Sequence, residues 1–403
     1  MSNPLESKSI LLGVTGSIAA YKAADLASKL TQAGAQVDVI LTASALRFVT
    51  PLTFQSVTGR KAYTDDDLWG GEGHVTHVGL GHVGNLFMIA PATANTMARL
   101  AYGIADNLLC VAALAARCPI LIAPAMDAGM YDHPATQASV KILRDRGVHF
   151  VGPMPGHLAS GLVGLGRMTE PLHILAEARW LLGQNGPLRG KKIVVTAGGT
   201  QEPIDPVRVI ANRSSGKQGY ALAQAAIDAG AQVTLITTPT HLPVPAGCEI
   251  VMVRTAQQML EAVLANSECD ALIMAAAVAD FTPVQMAGQK IKKAQGVLDL
   301  KLTYTQDILA KVAEQKAQTG YPLHVIGFAA ESQDLLANAR KKLEAKSLDL
   351  LAANDISEAG AGFEVETNRV TLLYRDGMTR ELPFMKKSEV AEAIIAQITE
   401  WTA

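Results

Sequence analysis

The apolar positions of the chain fall into short unbroken runs separated by glycine-rich turns and by stretches of helical spacing. ILLGV at 10–14 is followed by a Gly/Ser turn, then by a segment with small and apolar residues every three to four positions, then by AGAQV and a second apolar run ending at Leu41. The same plan returns at 191–238, where KKIVVTAGGT precedes SSGKQGYALAQAAIDAGAQVTLITT. Each half therefore opens with a strand, a glycine turn, a helix and a second strand. Strands buried on both faces by crossover helices read as continuous apolar runs rather than alternating ones. Further runs of that kind are LFMIAP (86–91), PILIAP (119–124), ALIMAAA (271–277), HVIGFAA (324–330) and LDLLAAN (348–354). The pattern predicts an α/β protein of two Rossmann-like parallel-sheet domains. The polar, Gly-containing stretch around 181–192 is the expected joint, giving domains 1–183 and 191–403 with 184–190 as linker.

Composition adds exclusions. A length of 403 residues fits two domains, and 49% apolar residues suffice for two cores. A net charge of -2 leaves no electrostatic footprint for a nucleic acid or an anionic membrane. Cys110, Cys118, Cys248 and Cys269 show no CxxC spacing and read as thiols in a reducing compartment. The first residues lack a secretory pattern, and the longest apolar runs fall short of the ~20 residues a membrane helix needs. A cytoplasmic protein acting on small molecules is the expectation.

Chemistry enters with GHVTHVGLGH at 73–82, which holds His74, His77 and His82 of the chain's nine histidines. This spacing without neighbouring Cys ligands argues against zinc. In the first half, Gly13 and Gly16 sit where a strand hands over to a helix, a place suited to a phosphate. The spacing is not GxGxxG, and the second strand ends in Thr42, Ala43 and Ser44 rather than a ribose-binding acid. That favours a mononucleotide such as FMN over a dinucleotide and disfavours a nicotinamide dehydrogenase.

APATANT (90–96), APAMDAGMY (123–131) and HLASGLVGLGRM (157–168) complete the first half. Together they resemble the flavin-dependent cysteine decarboxylases that include phosphopantothenoylcysteine decarboxylase. The resemblance implies a flavodoxin-like domain holding FMN. Gly16, Ser17 and Ile18 would form the phosphate turn, Thr42 and Ser44 a second contact, Thr93, Ala94, Asn95 and Thr96 the flavin loop, and Ala125 a further contact. The family's catalytic histidine, in a THxxL pattern, falls on His77 between Thr76 and Leu80. Its chemistry is oxidation of a cysteinyl thiol by the flavin, loss of the carboxylate as CO2 and return of the electrons, with the protein supplying orientation and proton transfers.

Two positions depart from that family. Asp127 replaces the Asn that holds the substrate carboxylate, and Ser160 replaces the proton-donating Cys. An ionised Asp127 would repel the carboxylate by ~4 kcal/mol at contact distance with an effective dielectric near 20. It must be protonated, charge-compensated or bonded to a substrate N–H. A flavin-binding regulatory protein with an inert first half is the alternative these positions leave open.

In the second half SSGKQG is not a P-loop, since Gln218 follows Lys217 and no Gly lies five residues before Gly216. With TAGGTQEPIDPVR, MAAAVADF, KIKK, GFAAES and AAND it resembles phosphopantothenate–cysteine ligase of the bacterial, CTP-using type. The resemblance implies an acyl-cytidylate route with Mg2+ accompanying CTP. Asn212 would face the acyl intermediate, and Ala275, Ala276, Asp280, Lys290, Phe328, Lys342 and Lys346 would surround the nucleotide. The family's NPDI turn appears as Thr305, Gln306, Asp307 and Ile308, followed by Leu309. The fused pair of activities, consecutive in coenzyme A synthesis, is matched from about Lys8 to beyond Lys387. The resemblance also implies homo-oligomers: flavin-domain trimers, ligase-domain dimers and a dodecamer built from them.

Overall fold

The computed structural model describes residues 3–69, 76–292, 299–331, 335–355 and 365–402. They form two compact units, Ser2–Leu182 and Gly183–Ala403. In the first, β1 (Ser9–Val14), β2 (Gln36–Leu41), β3 (Ala62–Tyr63), β4 (Leu86–Ala92), β5 (Ile120–Pro124) and β6 (His149–Phe150) make one sheet in the order β3-β2-β1-β4-β5-β6. All its pairings are parallel. Without the two-residue edge strand β3, this is the five-stranded flavodoxin-like order.

The helices are α1 (Ala20–Gln32), α2 (Pro51–Thr58), α3 (Thr76–Val83), α4 (Ala94–Tyr102), α5 (Leu108–Ala115), α6 (Ala128–Asp132), α7 (Pro134–Asp145) and α8 (Pro171–Gly183). They cover both faces, because successive strand residues point to opposite sides. Leu12 and Val14 join Leu26 and Leu30 of α1 and Leu181 of α8 in one core. Leu11 joins Met97 of α4, Leu109 of α5 and Val140 of α7 in the other. An antiparallel hairpin, β7 (Met154–His157) with β8 (Val163–Arg167), stands apart from the sheet.

The histidine-containing stretch is not broken by its glycines, at 79 and 81: Thr76–Val83 is helical. Gly81 is there for packing: a Cβ would sit 2.9 Å from Ala112 O and 3.0 Å from the Ala115 backbone of α5. The glycine that reads as a helix breaker is what lets two helices approach.

The second unit contains β9 (Lys192–Ala197), β10 (Gln201–Pro203), β11 (Val209–Ala211), β12 (Gln232–Thr237), β13 (Glu249–Met252), β14 (Ala271–Met274), β15 (Phe281–Pro283) and β16 (Leu302–Tyr304). Then follow β17 (His324–Glu331), β18 (Leu350–Asp355), β19 (Thr367–Asn368), β20 (Val370–Tyr374), β21 (Thr379–Glu381) and β22 (Met385–Lys386). Its helices are α9 (Lys217–Asp228), α10 (Ala256–Ala265), α11 (Ile308–Thr319), α12 (Leu335–Ala345) and α13 (Lys387–Thr402). The main sheet runs β13-β12-β9-β14-β17-β18-β20-β21.

From β13 to β18 the pairings are parallel and the order is that of the doubly wound dinucleotide-binding fold. The parallel pattern ends at one edge, where β20 and β21 add antiparallel. The short turn at 375–378 cannot house a crossover, so a hairpin results. Residues 184–190, the expected linker, pack on this unit: Leu188 is fully buried and its N–H donates to Ala229 O at 2.7 Å. No helix among the described residues is long and apolar enough to cross a membrane.

Candidate active sites

Each sheet has a switch point, at β1/β4 and β9/β14, where the connections diverge and leave a crevice at the carboxyl ends of the strands. In the first unit the two loops are joined by Thr15, 1% exposed. Its hydroxyl donates to Pro91 O at 2.7 Å and accepts from the Thr93 N–H at 3.1 Å. Gly16 lies so close to the β2 loop that a Cβ would stand 2.4 Å from Ser44 Cβ. No other residue fits there without moving that loop.

Thr42 returns a hydroxyl to Val14 O at 3.4 Å and accepts the Ala45 N–H. Thr93 caps α4 by accepting from the Thr96 N–H at 3.3 Å, which puts Ala94 and an exposed Asn95 in the first turn. Ala125 is held next to this loop by its N–H to Ala92 O at 2.9 Å. The structure thus brings Gly16, Ser17, Ile18, Thr42, Ser44 and Thr93–Thr96 to one crevice. Close backbone, hydroxyls and a helix start without a nearby carboxylate suit the phosphate and ribityl chain of a flavin mononucleotide.

Asp127 and Ser160, which depart from the family pattern, meet. The Ser160 hydroxyl donates to Asp127 Oδ2 at 2.5 Å, and Asp127 Oδ1 accepts the Gly129 N–H at 3.0 Å as the cap of α6. The hairpin that carries Ser160 is docked by glycines: a Cβ at Gly164 would lie 2.6 Å from Ala128 Cβ, and one at Gly166 2.3 Å from Met126 O. Both carboxylate oxygens therefore have donors from the chain itself, which offsets part of the charge that would repel a substrate carboxylate. His77 comes from α3, and its Nδ1 is buried without a hydrogen-bond partner among the described residues. An imidazole nitrogen left so is open to a bound molecule. His82 is exposed, and His74 lies outside the described residues.

In the second unit a cavity of about 1000 Å³ is lined by Asn212, Ala275, Ala276, Asp280, Gln306, Asp307, Ile308, Leu309, Phe328, Lys342 and Lys346. Hydroxyls again tie its floor. Thr196 Oγ1 accepts from the Ala276 N–H at 3.1 Å and Thr200 Oγ1 from the Ala279 N–H at 2.8 Å. Asn212 Nδ2 donates to Val278 O at 2.9 Å. The turn that lacks the family's proline is fixed by Thr305, whose N–H reaches Asp280 O and whose hydroxyl reaches Ala279 O at 2.7 Å.

Asp307 then caps α11 through the Ala310 N–H and is ion-paired with Lys346. Burial pushes its carboxyl up, but Lys346 and that N–H outweigh it and hold the net value below the ordinary carboxylate. Lys290 lies outside the cavity lining, exposed, next to Ile291, whose N–H donates to the Asp205 carboxylate at 3.2 Å.

The cavity wall also includes Arg213, Lys217, Gln218, Asn354, Asn368 and Lys387, which motif reading did not single out as ligands. With Lys342 and Lys346 the cations on the wall outnumber the carboxylates Asp280 and Asp307, which suits anionic ligands. Lys387 is 7% exposed, and burial, then the Lys217 charge, lower its pKa.

A flavin-type crevice in one doubly wound unit and a cation-lined, nucleotide-sized cavity in the other define a flavoprotein fused to a second catalytic α/β unit. Residues 1–180 match the family described as Flavoprotein, and residues 188–402 the DNA/pantothenate metabolism flavoprotein C-terminal domain. The chain is 47% identical over 398 residues to the coenzyme A biosynthesis bifunctional protein CoaBC of Bacillus subtilis (strain 168), spanning 98% of this chain and 97% of that one. It is 44% identical over 399 residues to the protein of the same name from Vibrio vulnificus (strain YJ016), spanning 98% of each. A crystal structure of the C-terminal domain of such a protein is similar at 39% identity and a TM-score of 0.46, covering 54% of this chain and 98% of that one. The chain belongs to the family of coenzyme A biosynthesis bifunctional proteins.

Proposed function

We propose that the chain catalyses two consecutive steps of coenzyme A synthesis. The second unit joins 4'-phosphopantothenate to cysteine with CTP, and the first decarboxylates the product, 4'-phosphopantothenoylcysteine, to 4'-phosphopantetheine. The observation that carries the ligase reading is the single cavity that gathers eleven separately identified residues from Asn212 to Lys346. CTP enters with its triphosphate toward the lysines, and Asp280 faces its sugar. The Asn212 amide stands by the acyl group that is activated as a cytidylate and then taken by the amine of cysteine. Among the described residues no group of three His, Cys, Asp or Glu could hold a metal. Mg2+ would be brought by the triphosphate and would neutralise part of its charge.

In the first unit FMN, when bound, supplies the oxidation and reduction that make the carboxylate a leaving group. Gly16, Ser17 and Ile18 hold its phosphate, Thr42 and Ser44 its chain, and Thr93–Thr96 with Ala125 its ring side. His77 moves a proton at the substrate thiol, and Asp127 and Ser160 attend the carboxyl-bearing carbon. Homo-oligomers in the cytoplasm belong to the same proposal; the exposed apolar residues Ile18 (60%), Tyr21 (63%) and Leu52 (68%) support assembly of the first unit.

The test is incubation with 4'-phosphopantothenate, cysteine, CTP and Mg2+, following pyrophosphate, CMP and CO2 together. His77→Asn should stop CO2 release and leave pyrophosphate release unchanged. Lys290→Gln should raise the CTP requirement of pyrophosphate release, while CO2 release from supplied 4'-phosphopantothenoylcysteine stays unchanged. Equal loss of both products in a folded His77 variant would refute separate sites.

A further inference from the structure

One corner of the ligase cavity has no role in the scheme above. Gln218, Asn354 and Asn368 all line it, and the side-chain oxygen of each is buried without a hydrogen-bond partner among the described residues. Asn368 is 3% and Asn354 9% exposed. The fold makes them neighbours although they are far apart in sequence. Gln218 Nε2 donates to Lys387 O at 3.2 Å, which fixes that amide with its oxygen as the free acceptor. Asn368 pairs with Met385, two residues before Lys387. Asn354 pairs with Val370, two residues after Asn368.

Buried amide oxygens without partners are costly, and a native protein keeps them where a ligand completes them. Three neutral acceptors match a group that carries several N–H donors. Lys217, ion-paired with the exposed Glu366, and the buried Lys387 line the same corner, so its charged groups sum to net positive. A group with N–H donors next to a group that seeks cations describes an α-amino acid, an amine and a carboxylate on one carbon.

We propose that Gln218, Asn354 and Asn368 hold the amine of the incoming amino acid, with Lys217 and Lys387 drawing in its α-carboxylate. The proposal rests on the ligase reading of this unit. The chemistry favours amides over carboxylates here. A carboxylate in direct contact would hold the amine as ammonium, which has no lone pair to attack with, whereas neutral oxygens beside Lys387 and the Lys217–Glu366 pair, a net positive set, ease loss of the proton. In the step itself the amine nitrogen forms the C–N bond to the acyl carbon. The acyl–phosphate oxygen bond breaks, CMP leaves with that electron pair, and the amine gives its proton to water.

The test uses the full chain with 4'-phosphopantothenate, CTP, Mg2+ and cysteine. Asn368→Ala and the isosteric, half-exposed Gln218→Met should each raise the KM for cysteine tenfold or more. The KM values for CTP and 4'-phosphopantothenate, and the pyrophosphate released in the absence of cysteine, should stay within about twofold of wild type. Gln218→Glu should move the rising limb of the kcat–pH profile to higher pH, a change that mere loosening of the wall would not produce. Cysteamine, which lacks the carboxylate, should replace cysteine only with a KM at least tenfold higher. A rise in the 4'-phosphopantothenate KM with that for cysteine unchanged would overturn the assignment and give the corner to the acyl substrate. A wild-type chain that releases pyrophosphate but shows no variant effect refutes the subsite alone; one that releases none refutes the ligase reading as well.

Discussion

Thr15→Val isolates the hydroxyl that ties the two flavin-crevice loops together. Valine keeps the shape of threonine, so no cavity opens, but Pro91 O loses a donor and the Thr93 N–H an acceptor. Each net hydrogen bond is worth about 1 kcal/mol, and an orphaned buried partner costs about 1–3 kcal/mol. Pro91 is buried and Thr93 half-buried, so water can replace the acceptor only at Thr93. The expected loss is about 2–4 kcal/mol in the first unit. At about 2–4 °C per kcal/mol for a domain of this size, its melting point should fall by about 4–16 °C. Calorimetry of the whole chain resolves the transition, and retained CTP-dependent pyrophosphate release reports that the second unit is intact. Thr15→Ser keeps the hydroxyl and loses only a methyl, so it should fall by far less. The reasoning is refuted if Thr15→Val melts within about 1 °C of wild type, or if Thr15→Ser falls as far.

Gly16→Ala places a Cβ 2.4 Å from Ser44 Cβ and should lower flavin affinity tenfold or more by equilibrium dialysis, whereas Gly59→Ala, which meets no neighbour but strains a backbone at φ +66°, should cost stability and leave affinity unchanged. Asp307→Asn keeps a helix cap but removes the Lys346 ion pair. Because the folded carboxyl is held below its ordinary value, its contribution is present at neutral pH and lost as pH falls below about 4. Urea midpoints of wild type and Asp307→Asn should therefore differ at pH 7 and converge at pH 3. Asp127→Asn and Ser160→Ala should not be additive in decarboxylation, since one 2.5 Å hydrogen bond joins them, and a double variant no slower than the worse single one is the expected cycle. Burial raises the thiol pKa of Cys110 to about 11 and of Cys269 to about 12, so neither should react with a maleimide at pH 7.5 until the chain is unfolded, as mass spectrometry of the labelled peptides will show.

The strands were readable because parallel strands buried on both faces must be apolar throughout, and LFMIAP and PILIAP have no other economical home. The glycine turn at Gly16 was readable for the same kind of reason: it stands where any Cβ would collide. What sequence could not supply is adjacency between distant loops. Gln218 and Lys387 are 169 residues apart, yet they are bonded. Asp127 and Ser160 each departs singly from the family's pattern, and only the folded hairpin shows that the two changes form one hydrogen bond. Helix α3 gives no sequence signal at Gly81, because helix propensity counts a glycine against a helix, while packing of α3 on α5 demands it. The antiparallel edge was missed because VTLLY, fully buried, carries the same apolar signature as a parallel strand.

The repetition between halves extends below the level of sequence pattern. Thr15 follows the first strand of its unit and takes the N–H of Thr93 beyond the fourth; Thr196, in the first strand of the second unit, takes the N–H of Ala276 beyond its own central partner strand. A hydroxyl that bridges the two sides of the switch point holds the crevice to one width in both. Beyond that shared frame the loops diverge. In the first unit the chain turns at once into a helix capped by Thr93. In the second it runs on through Ala275–Asp280 to β15 and widens into a cavity that collects lysines from α9, α12 and α13. The frame is thus common to both chemistries, and what separates a redox cofactor from a consumed triphosphate is the length of one loop and the charge of the helices that meet it.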